Sequence, residues 1–209
     1  MRLMIALGAA ALLVGCPGTE GDGGNGADDV CVNPPVDLAV PFKELSGVVA
    51  HWALSAGCIQ TSYAPDMKDA LPEFEAALAA WDAQACSDLC FTAPVESTVP
   101  AEDSSQRRVH LVSGRPAGVE GYKVQTTLTL RLSTGRLLQS VIYVDTAAPG
   151  AVTRGDWLTA VGKALGIGTP AEGVDSVMSR EQPQPRTALT GKDIETFCRL
   201  YGRPTFCGN

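Results

Sequence analysis

The sequence predicts one α+β domain over residues 31–209, preceded by a short leader and a linker. Helical and strand patterns follow one another in the order helix, strands, hairpin, helix, long loop, helix, which is typical of this class. The composition is globular, with 45% hydrophobic and 19% charged residues. Six cysteines follow the leader and linker. An even number of cysteines indicates that disulfides stabilise the domain if the chain is exported.

The first helix and the strands follow from hydrophobic spacing. A helix is predicted over residues 65–85, where apolar side chains recur every three or four residues: Leu71, Phe74, Ala77, Leu78 and Trp81. Strands are predicted over residues 48–54, 59–63, 88–95 and 108–113. Residues 122–132 and 137–145 are rich in Thr, Val, Leu and Ile, and the turn between them predicts a hairpin in the sheet.

Two more helices follow the hairpin. Residues 156–165 place Trp157, Val161 and Ala164 on one face, and Gly166 is positioned to stop the helix. A loop rich in Gly and Pro covers residues 167–188. The last helix is predicted from Thr190, whose hydroxyl caps it, to Gly202, with Asp193 in its first turn.

The first sixteen residues, MRLMIALGAAALLVGC, predict an export signal. Arg2 precedes an apolar run of eleven residues, which is too short to span a bilayer and has no polar face. The ending Leu-Val-Gly-Cys resembles the lipobox of bacterial lipoproteins. That resemblance implies cleavage after residue 15, acylation of Cys16 and attachment to a membrane of the cell envelope. Pro17 favours the outer membrane as the location.

Residues 16–30 are expected to form a flexible linker behind the lipid. They are rich in Gly and contain Glu20, Asp22, Asp28 and Asp29, with no basic or aromatic residue. The net charge of the chain is −7 and its pI is near 4.8. A nucleic-acid partner is therefore not expected, because phosphate binding needs a basic face.

If Cys16 is acylated, six cysteines remain as disulfide candidates: Cys31, Cys58, Cys86, Cys90, Cys198 and Cys207. Cys198–Cys207 and Cys31–Cys58 are the suggested pairs. Cys86 and Cys90 are near enough to bridge each other or to act separately. Their spacing does not form paired C-x-x-C knuckles, which disfavours a zinc site made of cysteines.

Four motifs in residues 156–202 resemble the core of matrixin-type metallopeptidases, a branch of the metzincins. They are the stretch ALGIG at residues 164–168, SVM at 176–178, LT with Asp193 at 189–193, and LYG at 200–202. In that family an H-E-x-x-H-x-x-G-x-x-H segment binds zinc and a methionine turn lies beneath the metal. The resemblance implies a metzincin-like fold with a mixed sheet and three main helices, with Gly166 as the scaffold glycine and Met178 in the Met-turn.

In the same alignment, none of the residues that bind zinc or act as general base in that family is present. The alignment places Thr159, Lys163 and Thr169 at the three histidine positions and Ala160 at the glutamate position. Threonine hydroxyls are poor zinc ligands, alanine has no functional group, and a lysine ammonium has no free lone pair. The resemblance therefore implies an inactive peptidase homologue with no zinc. Lys163 is hypothesised to lie near the empty metal position and to replace part of the positive charge.

The remaining candidate residues carry weaker signals. His51 and His110, the only histidines, are interpreted as ordinary strand residues rather than metal ligands. Arg107 and Arg108 are interpreted as a solvated basic pair. Structural calcium, which occurs in the matrixin family, remains open at the scattered acids Asp145, Asp156 and Asp175.

These observations favour an exported, lipid-anchored protein with an inactive matrixin-like domain that binds protein or peptide. Two alternatives stay open. The first is a zinc metallopeptidase with a divergent site made of Asp, Glu or Cys. The second is a structural lipoprotein of the envelope whose cleft has no function.

Overall fold

The computed structural model describes residues 2–6, 49–101, 103, 106–116, 118, 121–147, 150–179 and 186–202. The predicted cleavage site, Cys16, the linker, Cys31 and Cys207 lie outside these residues. Within the described ranges no helix combines the length and the apolar character that crossing a bilayer would require.

A mixed sheet of six strands forms one layer of the fold. The strands are β1 (Arg2–Ala6), β2 (Gln60–Tyr63), β3 (Val95–Glu96), β4 (Arg108–Ser113), β5 (Val124–Arg131) and β6 (Leu137–Val144). Their order across the sheet is β1-β5-β6-β4-β2-β3. The strands β2, β3, β4 and β6 run parallel to one another, whereas β5 is antiparallel to both β1 and β6.

The described residues form three α-helices: α1 (Leu71–Asp82), α2 (Arg154–Ala164) and α3 (Gly191–Tyr201). Helix α2 contacts β5 and β6 of the sheet and packs against α1. The Trp81 indole N–H of α1 donates to the Leu158 carbonyl of α2 at 3.0 Å. On α3 the Phe197 ring lies 5.6 Å from Trp81, measured between ring centroids. Large apolar residues on these helices and on the facing side of the strands are fully buried, which makes this interface the main core.

The helices and the hairpin agree closely with the sequence-based predictions, and two strands do not. Residues 65–70 form a 3₁₀ helix that leads into α1. The predicted strand over 48–54 is wrong, because its described part contains only an isolated bridge at His51 and the start of a 3₁₀ helix at Leu54. The predicted strand over 88–95 is reduced to a bridge at Phe91 and the two-residue β3, and Pro94 between them has no N–H to donate.

Among the described residues, two disulfides cross the domain, and they differ from the suggested pairs. Cys58 bonds to Cys90 and Cys86 bonds to Cys198. The suggested pairs Cys31–Cys58 and Cys198–Cys207 are therefore wrong, because Cys58 and Cys198 have other partners. Cys86 and Cys90 act separately. Parallel pairing of the chain near β2 brings Cys58 beside Cys90, since Ile59 N–H donates to the Cys90 carbonyl at 2.8 Å.

The interpretation of Arg107 and Arg108 as a solvated pair is also wrong. Arg108 lies in β4, in the interior of the sheet, and only 1% of its surface is exposed. Its guanidinium donates to the Pro100 carbonyl at 3.1 Å. Arg107 donates to the carbonyls of Ala53 and Gly57 and lies 5.5 Å from the centre of the Trp52 ring.

Candidate functional site

Helix α2 carries three of the four residues that the resemblance aligns with metal-site positions, and its start is well defined. The Thr153 hydroxyl accepts a hydrogen bond from the Asp156 N–H, and the Asp156 carboxylate accepts one from the Thr153 N–H at 2.8 Å. This reciprocal capping box satisfies two backbone donors and places an acidic group at the positive end of the helix dipole.

Side chains from several elements fix the other end of α2. The carbonyl of Ala164 accepts hydrogen bonds from the Trp52 indole at 2.9 Å and from the Ser140 hydroxyl at 2.8 Å. The Tyr201 hydroxyl donates to the Leu165 carbonyl. Burial raises the pKa of Tyr201 above its ordinary value, so this hydroxyl keeps its proton. The last carbonyls of α2, which have no partner within the helix, are thus satisfied from outside it.

Gly166 turns the chain at the end of α2. Its φ is +85°, and a β-carbon placed there would lie 2.2 Å from the Ala50 carbonyl oxygen. Any other residue would meet both an unfavourable backbone conformation and a steric clash. Gly166 therefore allows the chain reversal that ends α2 and the close approach of Ala50. The turn leads the chain directly to Thr169.

The segment around Met178 packs directly beneath α2. A β-carbon on Gly162 would lie 2.6 Å from the Met178 sulfur and 2.9 Å from the Trp81 ring, so the glycine allows this close approach. Met178 itself is 1% exposed. The turn at residues 176–178, called the Met-turn below after the resemblance, therefore lies against α2.

Asp193 joins this turn to α3. Its carboxylate accepts hydrogen bonds from the Ser176 hydroxyl and from the Val177 N–H, the latter at 3.0 Å. The same carboxylate accepts the N–H of Thr190 at 2.8 Å and so completes the capping box of α3. Asp193 is fully buried, and this set of donors satisfies its charge in the interior.

Two of the four residues that the resemblance aligns with metal-site positions have hydrogen bonds to other elements. The Thr159 hydroxyl donates to the Val177 carbonyl at 2.6 Å, which joins α2 to the Met-turn. Ala160 is buried, and its carbonyl accepts a hydrogen bond from Thr126 of β5 at 3.1 Å. Lys163 and Thr169 are half-buried. Because none of these side chains offers the imidazole or carboxylate donors that zinc requires, this residue set does not fit a zinc ion.

The acids considered for calcium lie apart and have other partners. Asp145 pairs with Arg115 at 3.6 Å and accepts the Ala147 N–H at 3.0 Å. Asp156 belongs to the cap of α2, and Asp175 pairs with Arg186. Among the described residues no group of three or more His, Cys, Asp or Glu side chains is placed to bind a metal ion.

His110 lies in β4, as expected, whereas His51 lies outside the strands and makes only an isolated bridge to Arg136. The His51 Nδ1 is 2.9 Å from the Val49 carbonyl oxygen. His110 in β4 is 1% exposed, and its Nδ1 is 2.8 Å from the Ser62 hydroxyl oxygen. Burial lowers the pKa of His110 to about 4, and the Arg108 charge acts in the same direction. Although serine and histidine meet here, the burial of both side chains closes this pair to a substrate.

The sequence does not predict the tertiary contacts that join α2, the Met-turn and α3. The sequence predicts Asp193 as a charge at the start of α3 and as part of the LT motif, but it does not predict the bond to Ser176, which lies seventeen residues away. Trp52 and Ser140, which both bond to the end of α2, carry no local pattern that indicates such a role. The Ser in the SVM motif and the Asp in the LT motif are the signals from which the Met-turn contact could have been anticipated.

No family model matches the chain, and no curated protein matches it. Among solved structures, the chain is similar to high choriolytic enzyme 1, a hatching enzyme zinc-protease from the medaka fish Oryzias latipes. The match covers 73% of this chain and 93% of that one, with 13% sequence identity and a TM-score of 0.41. A similarity this distant assigns neither a family nor a function.

Proposed function

We propose that this chain is an exported, lipid-anchored, non-catalytic homologue of zinc metallopeptidases whose domain binds protein or peptide. The observation that carries the proposal is the contact between Thr159 and the Met-turn. The side chain at the position of the first histidine bonds to the Val177 carbonyl at 2.6 Å and faces the scaffold. A hydroxyl used in this way stabilises the fold and supplies no metal ligand.

The outer edge of β5 supports the binding part of the proposal. In the full chain this edge pairs antiparallel with Arg2–Ala6, from Arg2 opposite Arg131 to Ala6 opposite Thr127. Backbone pairing of this kind is how many domains bind extended peptides. Cleavage before Cys16 would remove β1 and leave the edge open to a segment of another protein. The proposed ligand is therefore an extended polypeptide that adds a strand to β5.

The test compares two forms of the protein, one that retains residues 1–15 and one processed at Cys16. Each form is titrated into fluorescein-labelled peptides from unfolded casein while anisotropy and peptide cleavage are recorded. We expect binding by the processed form, weaker binding by the unprocessed form, and no cleavage by either. Equal binding by both forms would exclude the β5 edge as the site, and cleavage that a chelator abolishes would favour a divergent metallopeptidase.

A further inference from the structure

The two edges of the described sheet differ in how well they are protected from pairing with another strand. At one edge β3 is two residues long, and Pro94 before it has no N–H to donate. At the other edge β5 has eight residues, contains no proline and carries a single charge, Arg131, at its end. Short strands, prolines and charges are the features that protect sheet edges. The β5 edge therefore has little protection of this kind once β1 is removed.

Alternate residues of β5 direct their backbone groups to this edge. The Asp145 N–H donates to the Lys123 carbonyl at 2.8 Å, and the Arg131 N–H donates to the Arg136 carbonyl at 2.9 Å, so residues 123 and 131 both face β6. In an antiparallel strand the two backbone groups of a residue point to one side, and the side alternates along the chain. The even-numbered residues between 124 and 130 therefore present N–H and C=O groups at the outer edge.

Two copies of β5 that pair antiparallel about a two-fold axis have two well-centred registers. Even-numbered residues must lie opposite even-numbered residues, so the axis passes through residue 127 or residue 128. With the axis at residue 127, Arg131 lies opposite Lys123 of the second copy, and like charges in that position are destabilising. With the axis at residue 128, Arg131 lies opposite Gln125 of the second copy. The charges therefore favour the register centred on Leu128.

The register centred on Leu128 also supplies a partner for Gln125. This residue is 2% exposed, and its side-chain oxygen accepts no hydrogen bond from the described part of the chain. The guanidinium of Arg131 on the opposite strand carries N–H donors, and the two-fold axis creates this contact twice. On the same face of the sheet Thr127 lies opposite Thr129, which is a favourable cross-strand pair.

We propose that the processed chain forms a symmetric dimer in which two β5 strands pair antiparallel, with Leu128 opposite Leu128 of the second copy. The proposal rests on the proposed function, because β1 pairs with residues 127–131 until cleavage removes it. It identifies the extended polypeptide that fits this edge as the β5 strand of a second copy. The unprocessed chain is then a monomer, and dimerisation follows processing.

The first test is the oligomeric state of the exported, processed chain in detergent, measured by sedimentation velocity over a range of protein concentrations. We expect a dimer for the processed chain and a monomer for the form that retains residues 1–15. A processed chain that is monomeric at every concentration would overturn the dimer. If this monomer still binds casein peptides, the proposed function stands without the dimer, and if it binds none, both fail.

Charge reversal tests the register. In Gln125→Lys a cation faces Arg131 of the second copy at both contacts, and we expect the dissociation constant of the dimer to increase about tenfold. The double variant Gln125→Lys/Arg131→Glu places opposite charges at these contacts and should restore dimerisation. The matched control Gln60→Lys, on β2, should leave the dimer unchanged. Equal dissociation constants for Gln125→Lys and Gln60→Lys, or a double variant that stays dissociated, would contradict the register.

Cysteine cross-linking tests the register without a buried charge. Thr127 lies opposite Thr129 of the second copy when the axis is at residue 128, and opposite itself when the axis is at residue 127. Copies that carry Thr127→Cys should therefore form intermolecular disulfides with copies that carry Thr129→Cys in preference to one another. Preferential linkage of Thr127→Cys copies to one another would overturn the register centred on Leu128.

Discussion

Gly166 shows how one residue fixes the path of the chain through the site. Replacing it with alanine combines a positive φ with a β-carbon 2.2 Å from the Ala50 carbonyl oxygen. We expect Gly166→Ala to reduce the free energy of unfolding by about 3 kcal/mol or more, measured by urea unfolding. The matched control is Gly173→Ala, whose φ is +82° but whose β-carbon meets nothing within 4 Å. Gly173→Ala should reduce the free energy of unfolding by only about 1 kcal/mol. Equal losses in the two variants would show that the contact with Ala50 is unimportant.

Protonation of the buried His110 makes the free energy of unfolding depend on pH. Its pKa is lowered from 6.5 to about 4 in the folded protein, mainly by burial. The unfolded chain therefore binds more protons between these values, and stability decreases as the pH falls from about 6.5 to 4. The slope is at most about 1.4 kcal/mol per pH unit.

Urea unfolding of wild type and His110→Gln at pH 7 and pH 5 tests this effect. The loss in the free energy of unfolding between the two pH values should be smaller in His110→Gln than in wild type. The same loss in both proteins would assign the acid sensitivity to other groups.

The role of a single residue can be predicted from the sequence where neighbouring residues determine that role, and it cannot where distant parts of the fold determine it. Gly166 is predictable because a glycine after a helical pattern indicates a chain reversal. The burial of Arg108 is not predictable, because two adjacent arginines usually lie in solvent. Arg108 is buried because β4 lies between β2 and β6. Thr159 could be recognised as a poor metal ligand, but its bond to Val177 depends on tertiary contact.

At the scale of elements, Asp193 connects the Met-turn to α3. In Asp193→Asn one carboxylate oxygen becomes an amide NH₂ that faces N–H and O–H donors, and the buried negative charge is lost. We expect a loss of about 3 kcal/mol or more in the free energy of unfolding. Asp156→Asn, which affects only the cap of α2, should cost about 1 kcal/mol. Similar losses in the two variants would show that the contact between α3 and the Met-turn adds no stability.

Elements with their own periodicity are the ones that the sequence predicts. The helices α1, α2 and α3, β4 and the β5–β6 hairpin all occur close to the predicted positions. The strands predicted near residues 48–54 and 88–95 largely fail, because short extended segments become strands only where a partner is available. Residue 51 meets Arg136 for a single bridge, and residue 91 meets Ile59 for another.

At the scale of the molecule, the two disulfides should differ in their contribution to stability. Cys86–Cys198 closes a loop of 112 residues and joins α3 to the segment after α1, whereas Cys58–Cys90 closes 32 residues beside an existing backbone bridge. Loop-closure entropy makes the longer loop worth about 1 kcal/mol more.

The double variants Cys86→Ser/Cys198→Ser and Cys58→Ser/Cys90→Ser are therefore compared by urea unfolding. The variant Cys86→Ser/Cys198→Ser should have the lower midpoint of urea unfolding. A lower midpoint for the variant Cys58→Ser/Cys90→Ser would contradict this order.

The class of fold and the presence of disulfides were predictable from the sequence, but the pairing was not, because it depends on which segments the sheet brings together.

The central proposal is that this chain is a non-catalytic homologue of zinc metallopeptidases in which other residues stand at the four metal-site positions, and zinc content tests it most directly. The wild-type chain is exposed to zinc, freed of excess and analysed by mass spectrometry beside a variant with Thr159→His, Ala160→Glu, Lys163→His and Thr169→His. The account predicts little zinc in the wild type and about one ion per chain in the variant, whose three histidines supply the ligands of a catalytic site. About one zinc ion per wild-type chain would contradict the claim, and a folded variant without zinc would contradict the placement of the four positions.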